Sequence, residues 1–324
     1  MKAVVLFPQN QAPQYINNFP EPVASNENQL VLSVKAAAIK NLDKARASGK
    51  HYSTQGDIQQ AKVIGGDGVG ILADGTRVFA LGVTGMVAEK AIVEKNKTIA
   101  LPEGIDDATA AALPNAVAGS AMALRFRAAM QAGETVLING ATGFTGVIAV
   151  QIARHYGAKK IIVTGRNEQT LQSLLQLGAD EIVSLKQSEE NITAQLKQIH
   201  TVTPIDIIID YLWGRSAELL LEVLKGTGTF THKTRFVSIG AVTGDTIQLS
   251  AETIRSVDLQ LSGSGLGSWS RAEFQQLFTD IIPEMFQLAA DHQLQADTVN
   301  IRLEELESLW QTTDTDGKRL VVII

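Results

Sequence analysis

Gly140, Gly143 and Gly146 stand at three-residue spacing, directly after the apolar run TVLIN and at the head of FTGVIAVQIARHYG. Glycine at the first place permits a tight turn, at the second lets backbone approach a pyrophosphate, and at the third lets a helix pack closely on a strand. The helix that follows points its N-terminal N–H groups and positive dipole end at the same spot. Thr142 and Thr145 add hydroxyl donors, and Phe144 lies between them in the loop. A glycine triplet also occurs in turns that need only close packing. Its place between a buried strand and a helix, inside a βαβ unit, is what points to a dinucleotide cradle.

The next strand discriminates between two dinucleotides. KIIVT ends in Gly165-Arg166-Asn167. An NAD site expects an acid here, to bind the ribose hydroxyls, and none is present. Arg166 can make charge-assisted bonds to a 2′-phosphate, or it can stand as a solvated surface cation. The first alternative makes the cofactor NADPH. A second glycine cluster, VIGGDGVGIL from Val63 to Leu72, lacks the strand-to-helix context, because ILADGTRVFAL continues as β-structure. It reads as a tight turn with Asp67 as a capping carboxylate.

Composition removes whole classes of chemistry. The 324 residues include no cysteine, which excludes disulfides, thiolate nucleophiles, iron–sulfur clusters and cysteine-ligated zinc. The five histidines are scattered, with no H-x-x-H, H-x-x-x-H or H-E-x-x-H spacing. A net charge of −6 argues against a nucleic-acid surface. No apolar run is long enough to span a bilayer, and MKAVVLFPQN reads as a first strand rather than a signal peptide. The expectation is a soluble cytoplasmic protein.

Two textures divide the chain. Residues 1–115 are β-rich, with KAVVLF, NQLVLSVKAAAI, TRVFALG and MVAEKAIVEK split by turn residues. Asp106 and Asp107 then offer a cap and an acidic first turn for a short helix. Across 116–267, nearly all-apolar strands alternate with helices, the pattern of a doubly wound parallel sheet. From 268 the texture is mixed again. Phe274, Leu277, Phe278, Ile281, Met285 and Leu288 mark an amphipathic helix, LEELESLWQTT a second, and KRLVVII a buried strand joining the first part. The expected class is α/β: a Rossmann cofactor domain at 116–267 plus a β-rich catalytic domain from 1–115 and 268–324.

Over essentially its whole length the chain resembles the medium-chain dehydrogenase/reductase superfamily, in its zinc-less quinone oxidoreductase branch. The segments that carry this are LVLSVKAAAIKNLDKARASGKHY, VIGGDGVGIL, ALPNAVAGSAMAL, GATGFTG, DYLWG, FVSIGAVTG and LSGSGLGS. The resemblance implies a GroES-like β-rich domain. It also implies that backbone around Ile239-Gly240 and Gly263-Ser264-Gly265 holds the nicotinamide. Zinc-dependent members carry Gly-His-Glu where this chain has Gly65-Gly66-Asp67, so a metal ligand is missing and no metal is expected. Without a Lewis acid, the implied acceptors are already electrophilic: quinones, or enones and alkenals.

Two positions depart from the branch. Lys40 replaces the asparagine of its L-N-P-x-D motif, and Leu185 falls where some members place a tyrosine on the 2′-phosphate. Lys40 is either a donor to an acceptor oxygen or a surface lysine with its stem over the sheet, and Asn41 beside it is assigned to the substrate pocket. Tyr52 can give a proton to a developing oxyanion or simply pack. Tyr211 and Trp213 can wall a cleft for a flat acceptor. The leading expectation is an NADPH:quinone oxidoreductase. A double-bond reductase of the same superfamily and a non-catalytic NADPH-binding regulator are the alternatives. An apolar edge strand at DLQLSG implies a homodimer.

Overall fold

The structure, a computed structural model, describes residues 1–8, 10, 12–49, 60–312 and 316–324. The chain forms two compact units, Met1–Asn115 with Phe278–Ile324, and Ala116–Leu277. The first opens with β1 (Ala3–Leu6), β2 (Gln14–Ile16), β3 (Gln29–Ala38), α1 (Asn41–Ala47), β4 (Lys62–Val63), β5 (Asp67–Ile71), β6 (Arg77–Gly82) and β7 (Lys90–Ala100). Helix α2 (Asp107–Met122) follows. Asp106 caps it, accepting the Thr109 N–H at 2.9 Å. The short helix expected here is in fact sixteen residues long. Its Ala- and Val-rich sequence is buried over most of its length, and Pro114 lies inside it.

The second unit contains β8 (Thr135–Asn139), α3 (Phe144–His155), β9 (Lys160–Gly165), α4 (Glu168–Leu174), β10 (Glu181–Ser184), α5 (Glu189–Val202), β11 (Ile207–Asp210), α6 (Gly214–Leu224), β12 (Thr234–Ser238), α7 (Ala251–Ser256), β13 (Leu259–Gly263) and α8 (Arg271–Gln276). Its strands form one sheet in the order β10-β9-β8-β11-β12-β13, with every pairing parallel. This is the doubly wound order, in which the chain reverses direction between β8 and β11 and opens a crevice at the strands' C-terminal ends. Strands β8 and β11 are buried throughout, as a sheet covered on both faces requires. Glycine stops end α3 and the segment after α4, with Gly157 at φ +86° and Gly178 at φ +113°.

The chain re-enters the first unit within a π-helical turn, Leu277–Ile281, ahead of α9 (Ile282–Ala290), β14 (Thr298–Arg302) and β15 (Arg319–Ile323). The π-turn inserts one residue into the helical repeat. Leu277, Ile281 and Met285 of the expected stripe are buried, and Ile282 and Phe286, which the 3.6-residue pattern did not include, are buried beside them. The second expected helix shrinks to a 3₁₀ turn and the four residues Leu306–Leu309. Strand β15 pairs antiparallel with β3, as KRLVVII implied, and its sheet runs β14-β15-β3-β5-β6-β7 with β7 pairing back onto β3.

The opening glycine cluster serves this sheet. Only Gly65 turns the chain, at φ +88°, and β5 begins at Asp67, so the turn is shorter than expected. A Cβ on Gly70 would lie 2.4 Å from the Ser33 carbonyl oxygen, and one on Gly68 would lie 2.8 Å from that of Ala36. Glycine lets β5 cross close over β3, where the register shifts between Val34 and Ala36.

Candidate functional site

Strand β8 ends at Asn139, and Gly140 turns the chain at φ +86°. A Cβ on Gly146 would fall 2.4 Å from the Ala141 Cα, so α3 touches the loop backbone there. A Cβ on Gly143 would meet nothing within 4 Å, and Gly143 itself is exposed at the N-cap of α3. The three glycines thus do the three jobs that a pyrophosphate cradle needs: turn, open face and close packing. The residues fit a dinucleotide.

The other loop residues make contacts of their own within the unit. The Thr142 side chain packs over Gly165, where a Cβ would come within 2.3 Å of the Thr142 Cγ2. Gly165 is therefore a spacer for Thr142. Phe144 is buried. Thr145 Cγ2 lies over Gly119 of α2. Asn167 caps α4, accepting the Thr170 N–H at 3.1 Å. Arg166 is exposed at the end of β9 and forms no ion pair with a described residue.

Beneath the loop lies a polar network that reading the chain did not find. The Asn139 amide donates to Asp210 at 2.7 Å, and Thr164 Oγ1 donates to Asn139 Oδ1 at 2.5 Å. Ser216 donates to that same Oδ1 at 3.0 Å, and the Gly140 N–H donates to Thr164 Oγ1 at 3.2 Å. Asp210 is fully buried, and its carboxylate also accepts the N–H groups of Leu212 and Trp213 at 2.9 and 3.0 Å. Burial pushes the Asp210 carboxyl above its ordinary range, while these N–H donors and the Asn139 amide pull against it. The ends of β8, β9 and β11 are tied together directly under the cradle.

The turn after β11 is strained. Trp213 has φ +58°, a region that side chains with a Cβ rarely adopt. Its ring packs edge-on against Phe236 with centroids 6.2 Å apart. Tyr211 is buried, and its hydroxyl shares a 3.0 Å hydrogen bond with that of Ser120. Burial pushes its phenol upward, with Ser120 opposing. Both rings are engaged by neighbours inside the unit. Ile239 and Gly240 donate their N–H groups to the Asp210 carbonyl at 2.7 and 3.2 Å. A Cβ on Gly240 would lie 2.8 Å from the Tyr211 carbonyl oxygen. Beyond β13, Gly263 is exposed, while Ser264 is buried and accepts the Trp269 indole N–H at 3.1 Å. Gly265 donates its N–H to Ser268 Oγ.

In the first unit, Lys40 is only 2 % exposed. Its ammonium donates to Asp67 Oδ1 at 2.5 Å and stands 3.4 Å from Asp43 Oδ2. The Asp43 carboxylate also accepts the Lys40 N–H at 2.9 Å and so caps α1. Burial works against the Lys40 charge, but Asp43 and Asp67 together overcome it and hold its pKa above the ordinary value. Burial raises the Asp67 carboxyl, with Lys40 opposing. Arg319 completes the cluster, and burial pulls it down to about 10 despite the two carboxylates. The surface alternative for Lys40 is thereby corrected, and its ammonium is committed within the protein. Asn41 is exposed on the first turn of α1. Tyr52 lies outside the described residues.

The zinc-binding dehydrogenase family model matches residues 145–283. The quinone oxidoreductase of Sus scrofa is 29% identical over 259 residues, 78% of this chain and 75% of that protein. A probable NADPH-dependent quinone reductase of Emericella nidulans is 27% identical and covers 94% of both chains. The solved quinone oxidoreductase of Thermus thermophilus, known also in complex with NADPH, is 25% identical with a TM-score of 0.78 and covers 100% of each chain. The fold and these likenesses are those of the medium-chain dehydrogenase/reductase superfamily, and the relatives to which the chain is similar are named quinone oxidoreductases.

The family model's name implies zinc, and the described residues do not fit it. The Lys40 ammonium is already seated on Asp67, and the chain has no cysteine. Among the described residues no group of three or more histidine, aspartate or glutamate side chains is arranged to hold a metal.

Proposed function

We propose that this protein is an NADPH-dependent, zinc-independent reductase of quinones and similarly electrophilic acceptors, working as a homodimer in the cytoplasm. The observation that carries this reading is the glycine cradle with Arg166 exposed beside it and no acid at the end of β9. The names of the Sus scrofa and Emericella nidulans relatives support the quinone, and the Thermus thermophilus complex supports NADPH.

Bound in the cradle, NADPH supplies the hydride. The chain's own contribution is placement. The Asn139–Thr164–Asp210 network fixes the loop, α3 presents its N-terminal dipole to the diphosphate, and Arg166 meets the 2′-phosphate. Lys40, held between two carboxylates, has no proton to spare, so solvent protonates the reduced acceptor.

The test is NADPH oxidation against a panel of quinones, enones, alkenals and alcohols, with and without a chelator. Quinone turnover that a chelator leaves unchanged is expected. Turnover restricted to enones moves the reading to a double-bond reductase, and no turnover with any acceptor overturns it. Arg166→Ala is expected to raise the KM for NADPH about ten-fold, the effect of one solvent-screened charge-assisted bond, and to leave that for NADH unchanged. Equal KM values for both cofactors in the unmodified enzyme would remove Arg166 from this role. For the dimer, β13 is an edge strand with Leu261 exposed. Leu261→Lys is expected to convert a dimer to a monomer in sedimentation velocity.

A further inference from the structure

A cavity of about 610 Å³ lies wholly within the first unit. It sits among α1, β4, the Gly65–Gly66 turn, the loop at Phe19–Pro22 and the turn Gly82–Gly85. This is the size range of small-molecule sites. Its apolar lining includes Leu6, Phe19 and Ile64. Four charged side chains also line it: Glu21, Asp43, Arg46 and Lys62.

The two anions are already neutralised. Glu21 accepts from Lys90 at 2.6 Å, and Asp43 is held by Lys40 and by its own capping bond. The two cations are not, because neither Arg46 nor Lys62 forms an ion pair with a described residue. Arg46 is placed over the turn, where a Cβ on Gly66 would lie 3.6 Å from its Nη1. An apolar cavity whose described lining side chains leave a guanidinium and an ammonium without a counter-ion attracts an anion with a hydrophobic body.

We propose that this cavity is a binding site for a small aromatic carboxylate or sulfonate. Arg46 takes the anionic group through two parallel N–H bonds, Lys62 adds its charge from β4, and Leu6, Phe19 and Ile64 receive the ring. The inference goes beyond the hydride-transfer reading and does not depend on it.

The experiment is calorimetric titration of the full chain, without cofactor, using 1-naphthoate and its neutral isostere 1-naphthamide as probes. Naphthoate is expected to bind at least about ten-fold more tightly than the amide, the value of one charge-assisted contact. Arg46→Gln and Lys62→Gln are each expected to shrink that ratio while leaving amide affinity and thermal stability unchanged. Both side chains reach solvent, so the variants fold. Equal affinity for the two probes, binding of neither, or a ratio that survives both substitutions overturns the proposal. Each of those results leaves NADPH oxidation with quinones intact, so failure here is separable from failure of the proposed activity. Where naphthoate binds, competition against a quinone identifies the cavity as the acceptor's anchor, and an unchanged quinone KM identifies an effector site.

Discussion

The Gly146→Val variant is expected to lose NADPH binding by at least about a hundred-fold and to unfold several degrees lower than the unmodified protein. The reason is backbone contact. A Cβ at this position would lie 2.4 Å from the Ala141 Cα and 2.7 Å from its carbonyl carbon and oxygen. No rotamer change relieves a clash with main chain. Either α3 moves off β8 or the loop is pushed outward, and both alter the cradle. Overpacking by a single methylene costs about 1–3 kcal/mol, and valine adds three carbons. Gly143→Ala is the informative contrast. Its Cβ would meet nothing within 4 Å, and its φ of −85° suits any residue. Thermal stability is therefore expected to stay the same, while NADPH binding weakens about ten-fold because the methyl occupies the face left for the diphosphate. Unweakened binding by Gly143→Ala would mean that the open face is not where the cofactor lies. Calorimetry for binding and a thermal melt for folding separate the two effects.

The contrast between those glycines was legible in the chain, because a strand, a three-residue glycine spacing and a helix are local features. The six-stranded parallel sheet was legible for the same reason. Its strands are apolar on both faces, and each helix between them ends at a glycine or a polar break. What the chain did not disclose is pairing at a distance. Asn139 and Asp210 stand 71 positions apart and meet only because β8 and β11 are neighbours in the sheet. Nothing local to Thr142 indicates that Gly165 lies under its side chain. The partners of Tyr211 and Trp213 are likewise not disclosed by the chain. They are Ser120 and Phe236, which come from α2 and β12. The stripe through Leu277, Ile281 and Met285 was legible, but the burial of Ile282 and Phe286 beside it was not, since the π-turn at Leu277–Ile281 is invisible to a fixed 3.6-residue period.

Lys40 was the most ambiguous residue in the chain, and its setting makes the strongest stability prediction. Lys40→Met is expected to destabilise the protein by about 3–5 kcal/mol at neutral pH, the cost of leaving a buried charge without its partner. Methionine fills much of the lysine stem's volume, so lost packing is a minor part of the effect. What remains is Asp67, 15 % exposed, facing Asp43 with its nearest cation gone.

The pH dependence follows from the direction of the shift. In the native protein burial already raises the Asp67 carboxyl above 3.8, and Lys40 is the charge that opposes this. Removing Lys40 raises it further. A carboxyl whose native pKa exceeds its unfolded one holds more protons when folded, so stability falls as pH rises between the two values. The penalty of Lys40→Met should therefore be smallest near pH 4 and fully developed by about pH 8. The unmodified protein has the complementary alkaline limb. The Lys40 ammonium is held above its ordinary 10.5, so its contribution is intact below that value and is lost as pH rises through the native one. Urea unfolding of both proteins at pH 5 and pH 8 measures the difference directly. Adding Asp67→Asn to Lys40→Met is expected to recover part of the loss at pH 8 and little at pH 5. A penalty independent of pH, or no recovery in the double variant, would show that Lys40 acts through packing rather than charge.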